Sequence, residues 1–158
     1  MDAVREPVFV FGSNLAGREY TLPADFEGEL NIVAVAFQMW HQDEVNTWMP
    51  LFEQMEHQVP GLRAYELPVL RSMNRVSQWM IDQGMRGGIP DLATRSRTIT
   101  LYTDKERFRQ ALELSNENHI HVLLVDRHGE VLWRTEGAYR PDTARELAAA
   151  VEQQLVIV

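Results

Sequence analysis

The chain of 158 residues contains no cysteine. That absence excludes disulfides, thiolate nucleophiles, iron–sulfur clusters and cysteine-based zinc sites in one step. Long apolar runs are missing too. No stretch approaches the ~20 residues that a membrane-spanning helix requires, and the N-terminus from Met1 to Pro7 lacks the apolar segment of a signal peptide. The expectation is a cytoplasmic protein with no membrane span. Positive charge is also scarce: 15 Lys and Arg face 23 Asp and Glu, for a net charge of −8 and a sequence pI of about 5.1. Holding a phosphate backbone needs clustered Lys and Arg, so nucleic acid is not an expected partner. Nothing repeats, and no Pro/Gly/Ser-rich linker divides the chain, so residues 1–158 are read as one domain. A composition 45% hydrophobic and 24% charged fits a folded globular chain, large enough to bury a core without metal or disulfide.

What is present reads as alternating strands and helices. Val8–Phe11, closed by Gly12-Ser13-Asn14, and Glu19–Leu22 suggest an N-terminal hairpin within residues 8–23. Ile32–Phe37 is apolar without alternation, the pattern of a strand covered on both faces in the middle of a sheet. Val45, Trp48, Met49, Phe52 and Met55 recur at helical spacing and predict a helix from Asp43 to before Pro60, kinked or started late because of Pro50. Leu62–Leu67 reads as a strand ended by Pro68, and Arg71–Gln83 as a helix. Thr98–Tyr102 is a strand by its β-branched content. Thr103 or Asp104 then caps a helix carrying Phe108, Leu112 and Leu114 that ends near Ser115-Asn116. His121–Val125, a turn at Asp126–Gly129, and Val131–Arg134 form a second hairpin. Pro141-Asp142 opens a last helix with Ala144, Leu147, Ala148, Val151 and Leu155 on one face.

This order, and several of its residues, resemble the thioredoxin-like superfamily in its peroxiredoxin and thiol-reductase branches. Gly17–Pro23 resembles a hairpin that precedes the first core strand, and Asn31–Phe37 resembles that strand. Val122–Val131 resembles the closing hairpin, followed by Gly137 as a closing glycine. The resemblance implies an α/β fold of three layers, a mixed central sheet flanked by helices over residues 30–156, with the N-terminal β-hairpin as an extension. It places the redox cysteines near Gln42 and Val45, a peroxidatic cysteine near Asn46, a peroxide-positioning threonine near Asp43 and a cis-proline near Ile120. None of these positions holds sulfur. Met85-Arg86, Thr98–Tyr102 and Asn118–Gly137 further resemble the mitochondrial ATP-synthase assembly factor family, whose members act as chaperones on a thioredoxin-like domain without a redox motif.

The fold so implied brings Trp40–Glu44 beside His119 and His121. Three readings follow. The first is a redox-inactive binding or assembly domain that uses the degenerate active-site edge, with Trp40, His41, Gln42, Asp43, Trp48 and Ile120 as candidates for a protein or small-molecule ligand. It has no catalytic residues and needs no cofactor. Aromatics such as Trp40 and Trp48 are more often core residues packed beneath the helix. The second reading is a non-thiol enzyme or metal protein with a His/carboxylate centre. His41, His119 and His121 would be its ligands, although no tight ligand spacing such as His-Glu-x-x-His supports it. The third is a homodimer through a sheet edge or the Trp79-Met80 helix. The helix start near Asp43 could favour an anion, but Asp43 and Glu44 are expected to cap it internally. Gly12–Gly17 is followed by a strand and is therefore a turn, not a phosphate cradle. The glycine- and arginine-bearing stretch Arg86–Arg97 reads as a solvated loop.

Overall fold

The structure, a computed structural model, describes residues 10–14, 19–71, 81 and 97–156. The helix expected over Arg71–Gln83, with its Trp79-Met80 pair, lies outside the described residues apart from Arg71 and Ile81. So does the stretch from Arg86 up to Arg97.

The elements run β1 (Val10–Asn14), β2 (Glu19–Leu22), β3 (Leu30–Ala36), α1 (His41–Gln58), β4 (Leu62–Leu70), β5 (Ile99–Tyr102), α2 (Lys105–Leu112), β6 (His121–Asp126), β7 (Val131–Glu136) and α3 (Pro141–Val156). Among the described residues, seven strands form one sheet in the order β2-β1-β5-β4-β3-β6-β7. β3, β4 and β5 are parallel, while β6 and β7 run antiparallel on one side and β1 and β2 on the other.

β3 occupies the place that its unbroken apolar run demands, between β4 and β6 with both faces covered. Ile32 and Ala34 face Trp48, Phe52, Leu147 and Val151 of α1 and α3. Val33 and Val35 face the opposite layer, with Phe108 of α2, Leu123 and Val125. Among the described residues, the sheet is thus sandwiched between two helices on one face and α2 on the other, the thioredoxin-like arrangement. Each fully buried Leu, Ile or Phe in these layers contributes about 1.5–3 kcal/mol of burial. The buried polar residue of β3, Asn31, is held by Gly28: its Oδ1 accepts from the Gly28 N–H at 3.0 Å and its Nδ2 donates to the Gly28 carbonyl at 2.9 Å.

The structure departs from the sequence-based expectations at element ends. Gly12-Ser13-Asn14 belongs to β1 and pairs with β5, so it does not close the strand. β4 continues through Pro68 to Leu70. Pro68 sits opposite Ala36, where the β3 ladder ends, so its missing N–H interrupts little. α1 starts at His41 and passes through Pro50 without a break, held down by buried Trp48, Phe52 and Met55. α2 stops at Leu112 because Glu113 adopts a left-handed conformation at φ 57° and returns its N–H to Arg109 and Gln110. Asp104 is its cap, accepting from the Arg107 N–H. On α3, Leu155 is 47% exposed and leaves the buried face that Ala144, Leu147 and Val151 share.

Candidate functional site

The carboxyl end of β3 runs through Phe37 into the first turn of α1, and this junction is the edge to which the sequence pointed. Three backbone hydrogen bonds wind the chain into the helix: His41 N–H to Gln38 O, Gln42 N–H to Met39 O and Asp43 N–H to Trp40 O. Trp40 is the N-cap, in helical conformation and without a side-chain cap. The leading donors are therefore satisfied by turn carbonyls. The internal capping expected of Asp43 and Glu44 does not occur, and Asp43 is exposed.

His41 is buried. Its Nδ1 accepts from the Phe37 N–H at 3.0 Å and the Gln38 N–H at 3.3 Å. An accepting Nδ1 carries no proton, which places the proton of the neutral ring on Nε2. Burial holds its pKa below the ordinary histidine value, and nearby His119 and His121 act in the same direction. The Asn118 backbone and the Glu44 carboxylate oppose the shift. A neutral, buried His41 fixes the turn that presents its two predecessors to solvent. Met39 is 96% exposed and Trp40 is 52% exposed.

Glu44, one turn into α1, reaches across to the segment before β6. Its carboxylate accepts from His119 Nδ1 at 3.0 Å and from the Ile120 N–H at 3.2 Å. Because a carboxylate only accepts, His119 carries its proton on Nδ1. The His119 ring meets Trp40 edge to face at 6.1 Å, and Trp40 meets His41 in the same manner at 4.4 Å. On the other side, Lys105 Nζ donates to the Phe37 carbonyl at 3.0 Å, tying α2 to the same junction. Glu117 pairs with Lys105 and Arg109.

The expected approach of Trp40–Glu44 to the segment before β6 is therefore present, but its residues divide. Trp40 and His119 are on the surface. Trp48 is fully buried, stacks on Phe52 and donates from Nε1 to the Gly137 carbonyl at 3.0 Å, so it is a core aromatic and offers no platform. Ile120 is buried as well. His119 and His121 do not share a face: His121 turns to the α2 side, against Phe37, with Nε2 2.8 Å from the Asn116 carbonyl. Among the described residues, no three His, Asp or Glu side chains are grouped so as to hold a metal ion.

Sequence reasoning missed Glu66. It lies on β4 opposite Ala34, is 3% exposed, and its Oε2 is 3.5 Å from Gln42 Nε2. Burial raises its pKa, while Gln42, Arg97 and Thr98 pull it down. The signal was available, since a lone carboxylate in the apolar run Leu62–Leu70 has to be accommodated inside the sheet.

Known structures share this frame. The exposed lipoprotein thioredoxin Etrx1 of Streptococcus pneumoniae is 12% identical, with a TM-score of 0.57 over 88% of this chain and 99% of that one. StoA of Bacillus subtilis is 11% identical, with a TM-score of 0.59 over 93% and 98%. A thioredoxin-like protein of Aeropyrum pernix is 9% identical, with a TM-score of 0.54 over 92% and 89%. At such identities the likeness is one of fold. No curated protein matches the chain by sequence. The model of the ATP10 protein family matches residues 2–153, nearly the whole of a cysteine-free chain on a thioredoxin-like frame, and the chain belongs to that family.

Proposed function

We propose that this chain is a redox-inactive, assembly-type thioredoxin-like protein that binds a protein partner through the turn that leads into α1. The observation that carries this reading is the exposure of Met39 and Trp40 side by side, at the junction where the resemblance would put redox chemistry. A flexible thioether beside an indole suits a surface that accepts apolar segments of another chain, and Trp is the residue type most often found at the energetic centre of an interface. The pair is supported from beneath by hydrogen bonds. Buried His41 holds the turn, and Glu44 locks the facing segment through His119 and Ile120. Without a cysteine thiol, such an edge can hold a partner but cannot exchange a disulfide with it. Kinship with ATP-synthase assembly factors favours a protein over a small molecule, because an assembly factor works by engaging other chains.

The test is affinity capture with the wild-type chain, the double variant Met39→Ser/Trp40→Ala, and Leu155→Ser as an exposed apolar control far from this turn. Loss of a central aromatic costs about 2 kcal/mol or more of binding, roughly a 30-fold drop in affinity. The double variant is expected to lose the partner that the wild type and the control retain. Equal recovery by all three overturns the reading. His41 is left intact because its replacement would disturb the turn itself.

A further inference from the structure

We propose that Glu66 is a proton-controlled clamp on the first turn of α1, whose ionised carboxylate draws in Gln42 and Arg97 and so fixes the turn that presents Met39 and Trp40. The inference deepens the binding role proposed above and rests on it for its biological meaning. Its geometry is independent of any partner.

Glu66 Oε1 is buried and makes no hydrogen bond among the described residues, while Oε2 has Gln42 Nε2 at 3.5 Å, the outer limit of a contact. Gln42 gives its better bond to Asn46 Oδ1, at 2.9 Å. Thr98 forms an isolated backbone bridge with Glu66 on the β5 side and its side chain hydrogen-bonds the Glu66 carboxyl, and Arg97 precedes it. Arg97 pairs with Glu56 through Nη2 at 2.9 Å, but its Nη1 is buried without a hydrogen bond and lies 3.9 Å from Glu53. A buried acceptor and a buried donor thus stand unsatisfied in one region, beside an amide held at arm's length. The charged and polar groups around Glu66 are Gln42 and, through Arg97, Glu53 and Glu56 from α1, together with Arg97 and Thr98 beside β4. Burial raises the Glu66 pKa, so the carboxyl keeps its proton to higher pH than a surface glutamate. An uncharged carboxyl makes little demand on the neighbouring donors. A charged one is strongly favoured by each donor it can gather. Gln42 is two residues beyond Trp40, so tightening its contact acts on the turn directly.

The experiment is an NMR titration of the full chain from pH 4 to 9, following the Glu66 side-chain carboxyl carbon, the Gln42 side-chain amide and the Trp40 indole. Wild type, Glu66→Gln and His119→Gln are compared. The expected result is one midpoint above the ordinary glutamate range, shared by the Glu66 carboxyl and the Gln42 amide, with the amide proton moving downfield as Glu66 ionises. Trp40 follows the same step in His119→Gln, where the imidazole that meets its ring is absent. In Glu66→Gln the Gln42 step disappears. An ordinary glutamate midpoint in the wild type, or a Gln42 step that survives in Glu66→Gln, overturns the proposal. Because no partner enters the measurement, its failure is distinguishable from failure of the binding role.

Discussion

His41 and Glu66 flank the same turn and respond to pH in opposite senses. The folded-state pKa of His41 lies below the ordinary value of 6.5, so the native chain holds fewer protons than the unfolded chain between the two values. Stability therefore rises with pH across that window and is lost on acidification. For Glu66 the folded pKa lies above 4.5 and the native chain holds the extra proton, so its contribution falls as pH rises through that window. Denaturant unfolding of His41→Asn, which keeps an acceptor for the Phe37 and Gln38 N–H groups, is expected to flatten the acid-side loss. An unchanged slope below pH 6.5 would contradict a buried neutral His41. Gly129 makes a second prediction at this scale. Its φ is +89°, and an added Cβ would come within 2.7 Å of Pro23 Cγ. Gly129→Ala meets both backbone strain and a clash, and is expected to destabilise the chain by more than about 1 kcal/mol in a denaturant titration.

Elements whose pattern serves a single purpose were legible in the sequence. The unbroken apolar run at Ile32–Phe37 has the pattern of a doubly covered strand, and Asp126 with Gly129 specified a turn in which Asp126 Oδ1 accepts from the His128 and Glu130 N–H groups. The edge of the site was legible for the same reason, since it follows from where that strand ends. Element boundaries were not, because they depend on partners distant in sequence. Pro68 stays in a strand owing to where β3 stops, and α2 ends on a left-handed glutamate that no local propensity announces. Within the site, the implied fold set both His119 and His121 beside Trp40–Glu44, yet β6 begins only at His121 and His119 is pulled toward α1 by Glu44. α1 depends on Trp48, fully buried and bonded to the Gly137 carbonyl. Trp48→Ala is expected to cost about 3–5 kcal/mol, and Trp48→Phe less, by denaturant unfolding. A cost below 1 kcal/mol for the alanine variant would mean that α1 is not seated on the sheet in this way.

For the molecule as a whole, the sheet and its helices form a scaffold that known structures repeat at 9–12% identity. At the end of β3 this chain carries Met39 and Trp40 in the open, and it has no cysteine anywhere. Among the described residues, no helix is long and apolar enough to cross a membrane. The remaining face of interest, around Leu155 at the end of α3, lies in another element and provides an internal control. Site-specific incorporation of a photoreactive phenylalanine analogue at position 40, and separately at position 155, followed by irradiation in cells, tests the binding role most directly. A discrete cross-linked protein from position 40 and none from position 155 is the predicted result; cross-links from position 155 alone, or the same set from both, would contradict it.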